Sequence, residues 1–258
     1  MKVIFADRAV LYMLVARVFQ AIGIRPKVAE VGVLKGENAS KIYEILSPQN
    51  MFLIDAWSAD AFIDYAKNNL HRDWVDDLDV YAGYFGGSVR DQDTFDRLHA
   101  EVVKKFNAES AVEIIRATSR EGLIALNDRL DGGQLDFIYL DASHQFETVY
   151  DDLIYYQKIL KSGGIFQLND CCHSPAGCRQ NLGVLEAALK FCKETDFIPL
   201  AMTNTDWTDV ILARKGAPVV GILDAIINAN NLAYVELPTS LFGALKIRYG
   251  QRANLSFI

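Results

Sequence analysis

Proline is scarce in this chain, six residues in 258, and cysteine and histidine number only four each. So little proline, with 51% hydrophobic and 23% charged residues, excludes a disordered or fibrous chain and fits an ordinary globular one. Three of the four cysteines crowd at Cys171, Cys172 and Cys178, which is not the spacing of a disulfide framework. A reducing cytoplasm is therefore the expected compartment. Positive charge is also short, with a formal net charge of −7. Nucleic acid is not an expected partner, because its capture rests on Lys and Arg neutralising phosphates. Long apolar runs are missing too. Residues 10–24 are apolar but interrupted by Arg17, and a membrane span needs about 20 such residues. Their spacing (Leu11, Leu14, Val15, Val18, Phe19, Ile22) instead predicts an amphipathic helix. The first eight residues carry charge where a signal peptide needs its apolar run.

What the chain does contain is an alternation of short apolar runs with longer helical patterns, the mark of β-α-β units around a parallel sheet. Strands are predicted at 27–31, 51–55, 112–116, 135–141 and 165–170, with a terminal pair at 197–202 and 209–213. Helices are predicted at 39–46, 119–130, 148–160 and 182–193. The glycines of Lys161-Ser-Gly-Gly164 are expected to cap the third of these. Residues 57–107 are too long for a plain connection and are expected to hold helices or a lid. The domain reading is an N-terminal helical segment (1–26), a ligand-binding domain (27–215) and a C-terminal extension (216–258) with its own helix at 220–228.

Four stations at strand ends carry the chemistry. The first is Glu30-Val-Gly32-Val-Leu-Lys-Gly36, where glycines permit a tight turn and a close backbone approach to a ligand. Its G-x-x-x-G spacing departs from the dinucleotide fingerprint. The second is Asp55, 23 residues beyond Gly32, a carboxylate suited to ribose hydroxyls, with Ala56 and Trp57 beside it. The third is Thr118-Ser119, whose hydroxyls can cap the next helix or meet an adenine edge. The fourth is Asp141-Ala-Ser-His144 together with Asn169-Asp170. Adjacent parallel strands bring these to one crevice, where Asp141, Asn169 and Asp170 would offer oxygen ligands to Mg²⁺ and His144 could deprotonate a hydroxyl. In the alternative, Asp141 holds a ligand's ammonium, His144 caps a helix, and no metal binds. The Cys171-Cys172-His173…Cys178 cluster fits no usual zinc spacing.

In this order the stations resemble the class I S-adenosylmethionine-dependent methyltransferases, and within them the small-molecule O-methyltransferases of sugar, macrolide and aminocoumarin hydroxyls. The motifs that carry the resemblance are E-x-G-x-x-x-G (Glu30, Gly32, Gly36), the Asp and aromatic after the second strand (Asp55, Trp57), and Asp-x-x-His leading to V-x-x-D-L (Asp141, His144, Val149, Asp152, Leu153). L-K-x-G-G (Leu160, Lys161, Gly163, Gly164) completes the set.

The resemblance implies a Rossmann-like, doubly wound α/β fold. Its seven-stranded sheet is mostly parallel, with an antiparallel last strand, and carries the N-terminal helix and C-terminal extension. It implies S-adenosylmethionine as cofactor, with Glu30, Gly32 and Gly36 on the methionine side, Asp55, Ala56 and Trp57 at the ribose, Thr118 and Ser119 near adenine, and Asp141 also in contact. Catalysis would fall to His144 as base with Asp141, and Mg²⁺, if used, to Asp141, Asn169 and Asp170. The acidic pair of the metal-dependent relatives is inverted here to Asn169-Asp170, and a second acid often found before the histidine is Ser143. A small molecule is the expected acceptor. The apolar tail residues Val235, Leu237, Leu241 and Phe242 suggest a homodimer. A nicotinamide-dependent oxidoreductase and a non-catalytic binding module on the same fold are the rival readings.

Overall fold

The computed structural model describes residues 1–67, 75–171, 174–205, 207–244, 246–249 and 253–256. In chain order the elements are β1 (Lys2–Ile4), α1 (Arg8–Ala21), β2 (Lys27–Val31), α2 (Glu37–Leu46), β3 (Asn50–Asp55), α3 (Ala59–Lys67), α4 (Ala82–Phe85), α5 (Gln92–Phe106) and β4 (Val112–Arg116). There follow α6 (Ser119–Leu130), β5 (Leu135–Leu140), α7 (Phe146–Tyr156), β6 (Leu160–Leu168), α8 (Pro175–Arg179) and α9 (Val184–Glu194). The chain closes with β7 (Phe197–Thr203), β8 (Val210–Arg214), α10 (Pro218–Ala229), β9 (Tyr234–Glu236), β10 (Lys246–Tyr249) and β11 (Ala253–Ser256).

Nine strands form one sheet in the order β4-β3-β2-β5-β6-β8-β7-β1-β9. The expected seven are there, with β8 running antiparallel between β6 and β7. Two short strands from the chain's two ends extend the sheet beyond expectation: β1 pairs parallel to β7, and β9 antiparallel to β1. The N-terminal and C-terminal segments thus complete the same sheet, and α1 packs against α10 on one of its faces. Both faces are covered. Phe137 and Tyr139 of β5 join the core under α1, α2 and α5, while Leu135, Ile138 and Leu140 join the core under α6, α7 and α9. Burial on both sides explains why β5 reads as a continuous apolar run rather than an alternating one.

One expectation is corrected. Lys161–Gly164 does not cap a helix. α7 stops at Tyr156, and Leu160 and Ile165 pair with Leu135 and Phe137, so four residues bulge within β6 opposite a single one. The glycines serve that irregularity, not a left-handed cap. The segment 57–107 contains α3, α4 and α5, as expected, although residues 68–74 lie outside the described residues. Phe62, Tyr81, Phe85 and Phe95 pack together, edge to face except for the tilted Phe62–Phe95 pair, and join α3, α4 and α5 in one apolar cluster. Of the tail residues, Phe242 is buried in the core while Val235 and Leu241 remain exposed. Among the described residues no helix is long and apolar enough to cross a membrane.

Candidate active site

The strand order reverses between β2 and β5, which is where open α/β sheets hold ligands. Gly32 sits at that point with φ +89°, and an added Cβ would lie 2.1 Å from the Asp141 carbonyl oxygen. The glycine is therefore needed for the two strand ends to meet. Three bulky or charged residues at the same edge of the sheet adopt positive φ: Leu34 (48°), Trp57 (39°) and Asp170 (52°). Left-handed backbone is thus gathered at the carboxyl ends of β2, β3 and β6.

Asp55 does not stand free for a ligand. Its Oδ2 accepts from the Val33 and Leu34 amides at 2.8 and 2.9 Å, and its Oδ1 from the Trp57 amide at 2.8 Å. One acceptor position is left on Oδ1. Burial raises the Asp55 pKa, against the pull of these three amides. Ala56 lies half-buried beside it. The Trp57 indole is fully enclosed, donates from Nε1 to the Leu34 carbonyl at 2.9 Å and stacks at a tilt on His99. It offers no face to a cofactor, so the expected contact is corrected to a bracing one. Gly36, at φ +67°, starts α2. Glu30, buried one position before the loop's first turn, has no hydrogen-bond partner for Oε2. Burial, then the Asp141 and Asp55 charges, push its carboxyl well above the ordinary range.

Thr118 caps α6, in a reciprocal box with Glu121. The Ser119 hydroxyl donates to Asp152, and Tyr156 donates to the Ser119 carbonyl at 2.7 Å. Burial lifts the Asp152 pKa to about 7, against the Ser119 bond. The folded state thus favours the neutral acid, and stability is lost as pH rises from about 4 to 7 and stays lost above. Asp152→Asn keeps the acceptor for Ser119 and removes that loss. Thermal unfolding should show a gain of up to about 4 kcal/mol at pH 8, several degrees or more, and none at pH 4. An equal effect at both pH values would contradict the assignment.

The fourth station is brought together as expected. His144 Nε2 lies 3.4 Å from Asp141 Oδ1, 3.4 Å from Asn169 Oδ1 and 3.6 Å from Asp170 Oδ2. Burial opposes the imidazolium, but the bond to Asp141 and the charges of Asp170 and Asp141 outweigh it and raise the His144 pKa to about 9. Sequence reasoning missed the rest of the ring. Asn38 donates to Asp141 Oδ2 at 3.0 Å, and Asn169 to the Tyr139 hydroxyl at 2.9 Å. Tyr139 and Gln167 in turn donate to the buried Asp209. Arg8 donates to Asp170 Oδ1 at 3.3 Å and faces Asp209 Oδ1 at 3.3 Å without hydrogen-bond alignment. Burial raises Asp209 to about 7, with Arg8 pulling the other way. Nothing local marks Arg8 or Asp209, which lie 162 and 39 positions from Asp170 in the chain.

Mg²⁺ does not fit this arrangement. It requires oxygens at about 2.0–2.1 Å in near-octahedral array, and the point on which Asp141, Asn169 and Asp170 converge is filled by the imidazole edge. Of the zinc candidates, Cys171 is buried and Cys178 exposed, while Cys172 and His173 lie outside the described residues. Among the described residues no cluster of three His, Cys, Asp or Glu could hold a metal.

Solved structures share the fold. An O-methyltransferase from Bacillus cereus, solved with SAH, superposes with a TM-score of 0.50 at 12% identity, over 81% of this chain and 83% of its own. The O-methyltransferase TomG from Streptomyces achromogenes, involved in tomaymycin synthesis and solved with SAM, gives 0.51 at 14%, over 82% of each chain. Spermidine synthase from Thermotoga maritima also gives 0.51, at 12% identity over 93% of this chain and 72% of its own. Such identities establish architecture alone. Among curated proteins, none matches the sequence. The profile of a family described as a methyltransferase domain matches residues 29–171, from β2 through the end of the crevice. That span is more than half of the 258 residues, and the chain belongs to this family of methyltransferase domains.

Proposed function

We propose that the protein transfers a methyl group from S-adenosylmethionine to a hydroxyl of a small molecule. The observation that carries this reading is the meeting, at one reversal point of a methyltransferase-domain sheet, of the Gly32 turn with the Asp141–His144–Asn169–Asp170 cluster. The cofactor fits the crevice chemically. The unpartnered Glu30 Oε2 and Asp141 suit its ammonium, and the open position on Asp55 suits one ribose hydroxyl. The backbone of residues 117–119 lies where β4 ends, beside the expected adenine. Bound there, S-adenosylmethionine would supply a sulfonium methyl and leave as S-adenosylhomocysteine.

The protein's share is placement and proton removal. Neutral His144 takes the acceptor's hydroxyl proton as the oxygen forms its bond to the methyl carbon. Asp141 and Asn169 hold the ring in place, and the acceptor enters from the side of α4, whose Tyr84 is exposed and lies within electrostatic reach of Asp141 and Asp170. With its net charge of −7 and this acidic crevice, the protein suits a small acceptor better than a polyanion.

The test is thermal unfolding with S-adenosylhomocysteine, with NAD and with neither. A ligand at about 100 times its Kd adds roughly 2.7 kcal/mol, a rise of several degrees. The rise should come with S-adenosylhomocysteine alone. Stabilisation by NAD instead, or by neither, would reject the reading.

A further inference from the structure

The acidic cluster of the crevice is already matched, oxygen by oxygen, with groups of the protein itself. Asp141 Oδ1 faces His144 Nε2, and its Oδ2 accepts from Asn38. Asp170 Oδ2 faces the same imidazole nitrogen, and its Oδ1 accepts from Arg8. Asn169 cannot turn its carbonyl elsewhere, because its amide group is held by the Tyr139 hydroxyl, which is itself fixed on Asp209. An entering cation would have to expel the ring and break the Arg8 pair. The guanidinium is always charged and only a quarter exposed, so it is a permanent counter-charge and not a passing one.

We propose that the Arg8 guanidinium, with the His144 ring filling the space between the carboxylates, takes the place of a divalent cation, so that this methyltransferase site works without metal. Arg8 is then a positioning residue of the site. It comes from the first turn of α1, outside the family-matched segment 29–171, and reaches the crevice because β1 and α1 close the far side of the sheet. Its partner Asp209, on the approach to β8, lies outside that segment too. The ring of contacts runs His144, Asn169, Tyr139, Asp209, Arg8, Asp170 and back to His144, so each member holds the next in register. This inference rests on the crevice being the methyl-transfer site, but it is tested without turnover.

The experiment is a Mn²⁺ titration of the chelator-treated full chain, followed by the electron paramagnetic resonance of free Mn²⁺, with and without S-adenosylhomocysteine. The wild-type protein and Arg8→Lys, which keeps the charge, should show no saturable site at sub-millimolar Mn²⁺. The double variant Arg8→Met/His144→Gln should gain a site at least about tenfold tighter, and adding Asp170→Asn should remove it. Saturable wild-type binding that Asp170→Asn abolishes would overturn the proposal. So would a folded double variant that gains no site, since Arg8 and His144 would not then be what keeps the ion out. Failure of S-adenosylhomocysteine to stabilise the wild type would strike the methyltransferase reading alone.

Discussion

Gly32→Ala is expected to be the most damaging single methyl in the protein, lowering stability by about 3–5 kcal/mol and removing the response to S-adenosylhomocysteine. Two effects add. At φ +89° an L-residue is strained by about 1–2 kcal/mol. The new Cβ also falls 2.1 Å from the Asp141 carbonyl oxygen, 2.3 Å from its carbon and 2.4 Å from Ala142 Cα. These are backbone atoms, so relief means separating the ends of β2 and β5, held by the Asp141 amide on the Val31 carbonyl at 2.7 Å. Both walls of the crevice move. Gly36→Ala is the control: its φ is also positive, but its Cβ meets side chains alone, Phe106 and Val102 at 3.4 Å and Lys105 at 3.7 Å. It should cost about 1 kcal/mol and leave the ligand response intact. Urea unfolding of the two variants decides; similar losses at both positions would show that conformation, not the meeting of the strand ends, is what Gly32 serves.

His144→Gln is expected to reduce methyl transfer by about 10²–10⁴-fold, the range of a lost general base, with little change in S-adenosylhomocysteine affinity. Because the free-protein His144 pKa is about 9, most of the imidazole is protonated at pH 7 and cannot accept a proton. Activity should therefore climb about tenfold per pH unit and level off near 9. Asp141→Asn removes the anion that most favours the imidazolium, so the rising limb should shift to lower pH even as its plateau falls. The measurement is kcat/KM against pH, with a hydroxyl acceptor found by screening for transfer of labelled methyl. A flat profile between pH 6 and 9 would remove His144 from the proton transfer.

Much of this protein is legible in one dimension. The 3.6-residue and short apolar patterns locate β2, β4 and α6 to the residue, because the burial of β2 on both faces, the β-branched run of β4 and the Thr118–Glu121 cap are local facts. The order of the loop glycines and acids likewise predicts that Gly32, Asp141, His144, Asn169 and Asp170 share one crevice. Adjacent parallel strands can end nowhere else. Three-residue strands such as β1 and β9 are too short to show a period, and only pairing with distant β7 creates them. The same holds for Lys161–Gly164, which reads as a cap but is drawn into β6 by its partners on β5. Packing decided that Asp55 turns back onto the glycine loop and that Trp57 is enclosed. It also decided what fills the acidic cluster. Sequence supplies the carboxylates. Whether a metal or an arginine 162 positions away answers their charge depends on which side chains the finished fold brings within reach, and no local pattern encodes that distance.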